Sequence, residues 1–256
     1  MRKEESQFGA SNILEGMTSV SALLAAREAG TNDRPILEIR FDRAKKQKKA
    51  REYAFLARKC AELNLPLTLT DAAALEEICI GNTHGGIVAL CGERTLPHPT
   101  AENLPSEGFL CLLEGIEDPY NFGYALRSLY AAGCDGILLG ERNWLSAAGV
   151  VARASAGASE SFPVWAGDTE TAISLLRDKG YKIVCAGIRN SVSLYEADLK
   201  KPLLLVVGGE KRGISAEMLS KADEIVRIDY GREFRGSLSA ASAATVLGFE
   251  VLRQNR

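Results

Sequence analysis

The chain has 256 residues, 46% of them hydrophobic, which is enough for a sizeable buried core in one large domain or two modest ones. Its formal net charge of −2 excludes a globally basic nucleic-acid binder, so any affinity for RNA or DNA must come from local patches. The charged opening MRKEESQ has no signal-type apolar core, and no apolar run approaches the roughly 20 residues that cross a bilayer, so a cytoplasmic protein with no membrane role is expected.

In chain order, EGMTSVSALL precedes PILEIRF (35–41) and PLTLT (66–70), which read as strands. Between those strands the periodicity predicts a helix of about twenty residues starting near Lys45. DAAALEEIC (71–79) reads as a second helix opened by Asp71, and GGIVALC closes a small α/β unit. From Arg40 to Lys59 there are nine Lys/Arg against two acids, a positive ridge that can grip phosphates. GERTLPHPTAENLPSEG (92–108) carries three of the eight prolines and reads as a linker. Beyond it, FLCLLEGI, GILLG, YKIVCAGI, PLLLVVGG and EIVRIDY alternate with helical stretches such as NFGYALRSLYAAG and TETAISLLRDKG, predicting a mostly parallel sheet covered on both faces. The expected organisation is therefore 1–92, a linker over 93–108, and 109–256. The six cysteines form no C-x-x-C pair and no zinc-spaced cluster with histidine, and are expected as reduced core residues.

The most unusual stretch is VVGGEKRGIS (206–215), a strand running into a glycine loop. It lacks the four-residue spacer of a P-loop, and it follows the fourth of the five strands rather than the first, where a dinucleotide fingerprint would lie.

Three stretches, DPYNFGYALRSLYAAG (118–133), LLLVVGGEKRGIS (203–215) and IVRIDYGREFRGSLSAASAATVLGFEVLRQ (225–254), resemble in order and spacing the three motifs of the SpoU-type RNA ribose methyltransferases of the SPOUT superfamily. ARASAGASESFPV resembles the family's small-residue segment, and THGGIVAL and EGMTSVSALL resemble parts of the RNA substrate-binding domain often fused to it. The resemblance implies an α/β fold with a C-terminal trefoil-knotted methyltransferase domain, preceded by a small ribosomal-protein-like α/β RNA-binding domain. It also implies a homodimer whose last helix joins the interface.

By the same resemblance, S-adenosylmethionine is the cofactor, held by Gly187, Gly208, Gly209, Glu210, Gly213, Ile228, Leu238 and Ser239, and no metal is called for. Arg127, Asn121, Glu210 and Ser237 are the implied catalytic set. Arg127 would lie near the target ribose as a phosphate and alkoxide clamp or, in a family proposal, as the base; a guanidinium that stays protonated suits the clamp. Asn121 would orient Arg127 or the substrate, or cap the helix after D-P. Glu210 would hold the loop, and Ser237 would cap the last helix while contacting the site. Arg43, Lys45, Lys46, Lys48, Lys49 and Arg51 would bind RNA. His84 reads as a structural turn residue. The chain departs from the family at Ser239, where asparagine is usual, and at Gly209, Lys211, Arg212 and Tyr124.

The implied reaction is methyl transfer to a ribose 2′-hydroxyl in structured RNA, ribosomal rather than transfer RNA. The alternatives are a catalytically weak or inactive knotted RNA binder in ribosome assembly and a Rossmann-type nucleotide-cofactor enzyme.

Overall fold

The computed structural model describes residues 12–81, 84–140 and 143–256. The chain forms two compact units, residues 1–95 with 144–161 and residues 96–143 with 162–256.

The first unit opens with β1 (Ile13–Glu15) and α1 (Gly16–Ala29), which ends on a left-handed Gly30 (φ 68°). Next come β2 (Ile36–Asp42), α2 (Ala50–Glu62), β3 (Leu67–Thr70), α3 (Ala72–Glu76) and β4 (Ile87–Cys91). The sheet order is β1-β4-β2-β3, with β4 antiparallel to β1 and β2 and with β2 parallel to β3. The helix expected from Lys45 is shorter than the periodicity suggested. Arg43–Lys45 form a 3-10 turn capped by Asp42, whose Oδ1 accepts from the Ala44 N–H at 2.9 Å, and α2 starts only at Ala50. The second expected helix likewise shrinks to five residues.

The second unit begins inside the proline-rich stretch. That stretch has no helix or strand, as expected, but Leu104 is buried in the second unit's core beside Leu110, Leu112 and Leu204. It is followed by β5 (Phe109–Glu114), α4 (Pro119–Ala131) and β6 (Gly136–Leu139). Two short helices then follow, α5 (Ala148–Ala154) and α6 (Ala158–Ser161). Expected in the C-terminal domain, they pack with the first unit: Ala148 and Ala152 join a core of Leu14, Val20, Phe41 and Leu56. A buried ion pair fastens the same segment, with Arg34 Nε donating to Glu160 Oε2 at 2.9 Å and both side chains 1% exposed. Asn32 Nδ2 donates to the same carboxylate oxygen at 2.6 Å.

The chain returns with β7 (Val164–Ala166), α7 (Thr169–Asp178), β8 (Lys182–Ala186), β9 (Val192–Ser193), β10 (Leu203–Gly208), α8 (Ala216–Ser220), β11 (Glu224–Arg227) and α9 (Ala240–Gln254). Strand order is β7-β6-β5-β10-β8-β11-β9, every pairing parallel. β7 and β9 are additions to the five expected strands. The near-continuous burial of FLCLLE and LLLVVG is what a sheet covered on both faces requires. Successive connections run outward from β5 to β7, whereas β8, β10 and β11 fill the other side. The order therefore reverses beside β5 and β10, and in open parallel sheets a ligand crevice sits at the carboxyl ends of strands at such a switch.

Candidate active site

The carboxyl ends of β8, β10 and β11 feed three loops that, with the start of α9, enclose a cleft of about 680 Å³. This lies within the roughly 300–1,000 Å³ typical of small-molecule sites.

The glycine loop after β10 is shaped first by backbone against backbone. The Gly209 N–H extends the ladder to the Glu114 carbonyl at 2.8 Å, and the Gly213 N–H donates to the Gly209 carbonyl at 2.9 Å, so the loop folds back on its own strand. A Cβ on Gly208 would lie 2.3 Å from the Gly213 carbonyl carbon, and one on Gly209 would lie 1.9 Å from the Gly115 oxygen. Gly213 closes the turn at φ +64°. Glycine is thus demanded by chain packing before any ligand arrives, a reason the sequence reading did not contain. The turn ends at Ser215, whose Oγ accepts from the Met218 N–H at 3.2 Å and caps α8.

Glu210 is the junction. Its Oε1 accepts from Asn121 Nδ2 at 3.0 Å and from the Ala240 N–H at 3.0 Å. One carboxylate oxygen therefore joins the start of α4, the β10 loop and the first turn of α9. Negative charge at the α9 N-terminus is also favoured by the helix dipole.

The motif serines and the motif asparagine exchange duties relative to expectation. Asp118, not Asn121, caps α4: its Oδ2 accepts from the Asn121 N–H at 2.9 Å, with Pro119 at the first helical position. Ser239, not Ser237, caps α9, its Oγ accepting from the Ser242 N–H at 3.2 Å. Gly187, Gly208, Gly209, Glu210 and Gly213 line the cleft, as do Ile228, Ser237 and Leu238. Ser239, Asn121 and Arg127 do not. Arg127 stands exposed on α4, about 9 Å along the helix from Asn121 at 1.5 Å per residue.

Other cleft residues went unread in the sequence. Asp229 accepts from the Ser193 hydroxyl and, at 2.8 Å, from Arg227 Nε. Those partners hold its carboxyl below the ordinary value, the Ser193 hydrogen bond most of all. Tyr230 Oη accepts from the Leu238 N–H at 3.1 Å. The only sequence hint was a pair of aromatics four residues apart in an arginine-rich loop.

In the first unit the six basic residues do not form a helical ridge, because Arg43–Lys49 lie in turns and only Arg51 is on α2. Arg43, Lys46, Lys48 and Arg51 are exposed; Lys45 Nζ sits 3.5 Å from Asp42, and Lys46 Nζ lies 4.3 Å from the Tyr53 ring centroid. His84 is buried and its Nδ1 accepts from the Gly86 N–H at 3.1 Å, consistent with a structural turn.

Residues 108–249 match the SpoU rRNA Methylase family. The chain belongs to that family. This SpoU family member is 28% identical over 246 residues to a Burkholderia protein named 23S rRNA (guanosine-2′-O-)-methyltransferase RlmB, covering 94% of this chain and 96% of that one. It is 31% identical over 212 residues to the Shewanella oneidensis protein of the same name, covering 78% and 83%. Its fold superposes with a TM-score of 0.77 on an AdoMet-bound rRNA methyltransferase of Sinorhizobium meliloti, at 23% identity over 99% of this chain and 90% of that one. The SpoU methyltransferase AviRb of Streptomyces viridochromogenes, also crystallised with AdoMet, gives 0.76 at 21% identity, covering 95% and 91%. Family membership replaces the Rossmann-type alternative. No described helix is long and apolar enough to cross a membrane.

Proposed function

We propose that this protein transfers a methyl group from S-adenosylmethionine to a ribose 2′-hydroxyl of ribosomal RNA in the cytoplasm. The observation that carries the reading is Glu210, one oxygen of which joins all three family motifs at the edge of a glycine-walled cleft. The cleft suits the cofactor. Val207, Leu238 and Leu247 offer apolar surface to an adenine, while Gly187, Gly208 and Gly213 bring backbone polar groups within reach. The bound cofactor supplies an electrophilic methyl on a sulfonium.

What the chain's own residues do follows from their chemistry. Glu210 keeps the loop and the α9 N-terminus in one arrangement, so the cleft is preformed, and Asn121 anchors Glu210 rather than meeting the ribose. Arg127, exposed on α4, grips a phosphate beside the target nucleotide bidentately and offsets the negative charge that builds on the 2′-oxygen as it takes the methyl, the hydroxyl proton passing to solvent water and S-adenosylhomocysteine being the other product. Ser237 faces the cleft mouth as a polar contact for the incoming sugar. The exposed Arg43, Lys46, Lys48 and Arg51, with Lys45 and Lys49 beside them, are assigned to RNA binding by the first unit as a substrate-binding domain. The second unit is assigned a trefoil crossing, in which the β11–α9 segment passes behind the β10 loop. The packing of α9 against α4 and β10 supports that assignment. Exposed Val246 and Phe249 on α9 support a homodimer.

The test is transfer of labelled methyl from S-adenosylmethionine to ribosomal RNA, with the product nucleotide mapped. Arg127→Ala is expected to lose roughly 10²–10³-fold in rate, the cost of removing one charge-stabilising donor, with unchanged thermal unfolding. Equal label from both proteins removes the role of Arg127, and no label from either removes the function.

A further inference from the structure

The loop from Asp229 to Leu238 holds two aromatic rings at the mouth of the cleft. Phe234 is 58% exposed and Tyr230 is 41% exposed, yet neither hangs free. Their centroids are 5.8 Å apart at an interplanar angle of 58°. Tyr230 Oη is fixed by the Leu238 N–H at 3.1 Å. The Phe234 ring lies directly over Gly236, where an added Cβ would come within 2.6 Å of Cζ. A large apolar ring is thus held open to solvent by its own loop, against the usual drive to bury it.

Beside it in the loop Arg232 and Arg235 outnumber Glu233, all three exposed. Exposed Arg189, Arg212 and Arg235 line the same cleft. The acids there are occupied, Glu210 with Asn121 and Ala240, and Asp229 with Ser193 and Arg227. The inner wall is apolar and glycine-rich, with Val207, Val226 and Leu247 buried. That wall suits the cofactor's adenine, whereas the outer ring among exposed guanidinium groups suits a partner that brings phosphates and an unstacked base together. Single-stranded RNA is recognised by that combination.

We infer that Phe234 is the platform on which the base of the target nucleotide stacks while its ribose enters the cleft, with Tyr230 and Gly236 holding the platform in place. This rests on the methyl-transfer reading, and the experiment separates the two. Phe234→Trp places an indole at the platform, and titration with deproteinised ribosomal RNA should quench its fluorescence beyond the background that Trp144 and Trp165 give in the wild type. Phe234→Ala should lower kcat/KM for the RNA about tenfold, the order expected for one lost stacked base, with the loss concentrated in KM. Affinity for S-adenosylhomocysteine, measured by calorimetry, should not change. Gly236→Ala, which forces the ring aside, should shift KM in the same direction, and Phe234→Trp should retain transfer. Unaltered transfer by Phe234→Ala, no added quenching, or a loss of S-adenosylhomocysteine binding would each overturn the platform. Quenching without any methyl transfer by the wild type would keep the platform and refute the transfer reading.

Discussion

Glu210 shows how little of a residue's work is visible in its type. In the sequence it is an acid in a glycine loop. In the fold its Oε1 accepts two hydrogen bonds from donors 89 and 30 residues away. Truncation leaves the Asn121 amide and the Ala240 N–H without their acceptor, a loss of about 0.5–1.5 kcal/mol for each bond. Glu210→Ala is therefore expected to lower the melting temperature by a few degrees and weaken S-adenosylmethionine binding about tenfold or more, because the cleft wall loosens. Calorimetry with wild type and variant checks both. Asn121 was legible as important through its motif, but its partner was not, since nothing local specifies a hydrogen bond across so long a separation.

At the scale of elements, the last helix resolves the departure at Ser239. Its Oγ caps α9 by accepting from the Ser242 N–H, and asparagine fills that position about as well. The serine is thus a cap and offers no reason to read the site as inactive. Ser239→Ala should cost about 1 kcal/mol, read by denaturant unfolding, whereas Ser239→Asn should leave both stability and methyl transfer nearly unchanged. A large gain of activity in Ser239→Asn would revive the silent-binder alternative. The start of α4 teaches the same lesson. Asp118-Pro119 spells a helix N-terminus and the structure uses it as one, freeing Asn121 for a long-range contact. The basic ridge failed as a helix because turn geometry after Asp42 prevailed over periodicity, so only its charge was readable.

Across the whole molecule, buried weak acids define an alkaline limit. Burial pushes the thiols of Cys91, Cys134 and Cys185 from the ordinary 9.0 up to about 12, and the Tyr181 hydroxyl from 10.0 to about 12. These groups stay protonated in the fold while the unfolded chain ionises them first. Their contribution is complete below about pH 9 and is lost as pH climbs toward 12. Chemical unfolding from pH 8 to 11 should show stability falling steadily above 9. Among the described residues the buried Tyr181 hydroxyl has no hydrogen-bond partner, so Tyr181→Phe should fold at least as well at neutral pH and lose less at alkaline pH. Assembly gives a second expectation. Phe249 is 45% exposed and Val246 36% exposed on α9, three residues apart and hence on one helical face. Phe249→Asp should yield a monomer by light scattering and lower methyl transfer. A monomeric wild type with full activity would defeat the dimer.

Local chemistry determined a good deal unaided. Strand burial followed from unbroken apolar runs, the α4 start from Asp118-Pro119, the reduced cysteines from their apolar settings, and the three motifs from residues adjacent in sequence. Tertiary structure alone decided that Gly208 and Gly209 are required by backbone packed against Gly213 and Gly115, and that Glu210 binds two distant elements. It alone decided too that residues 144–161 join the first unit through the Arg34–Glu160 pair. The physical reason is common to all three. Propensity and periodicity are properties of near neighbours, whereas close packing and buried polar pairing are satisfied only when segments far apart in the chain are brought together.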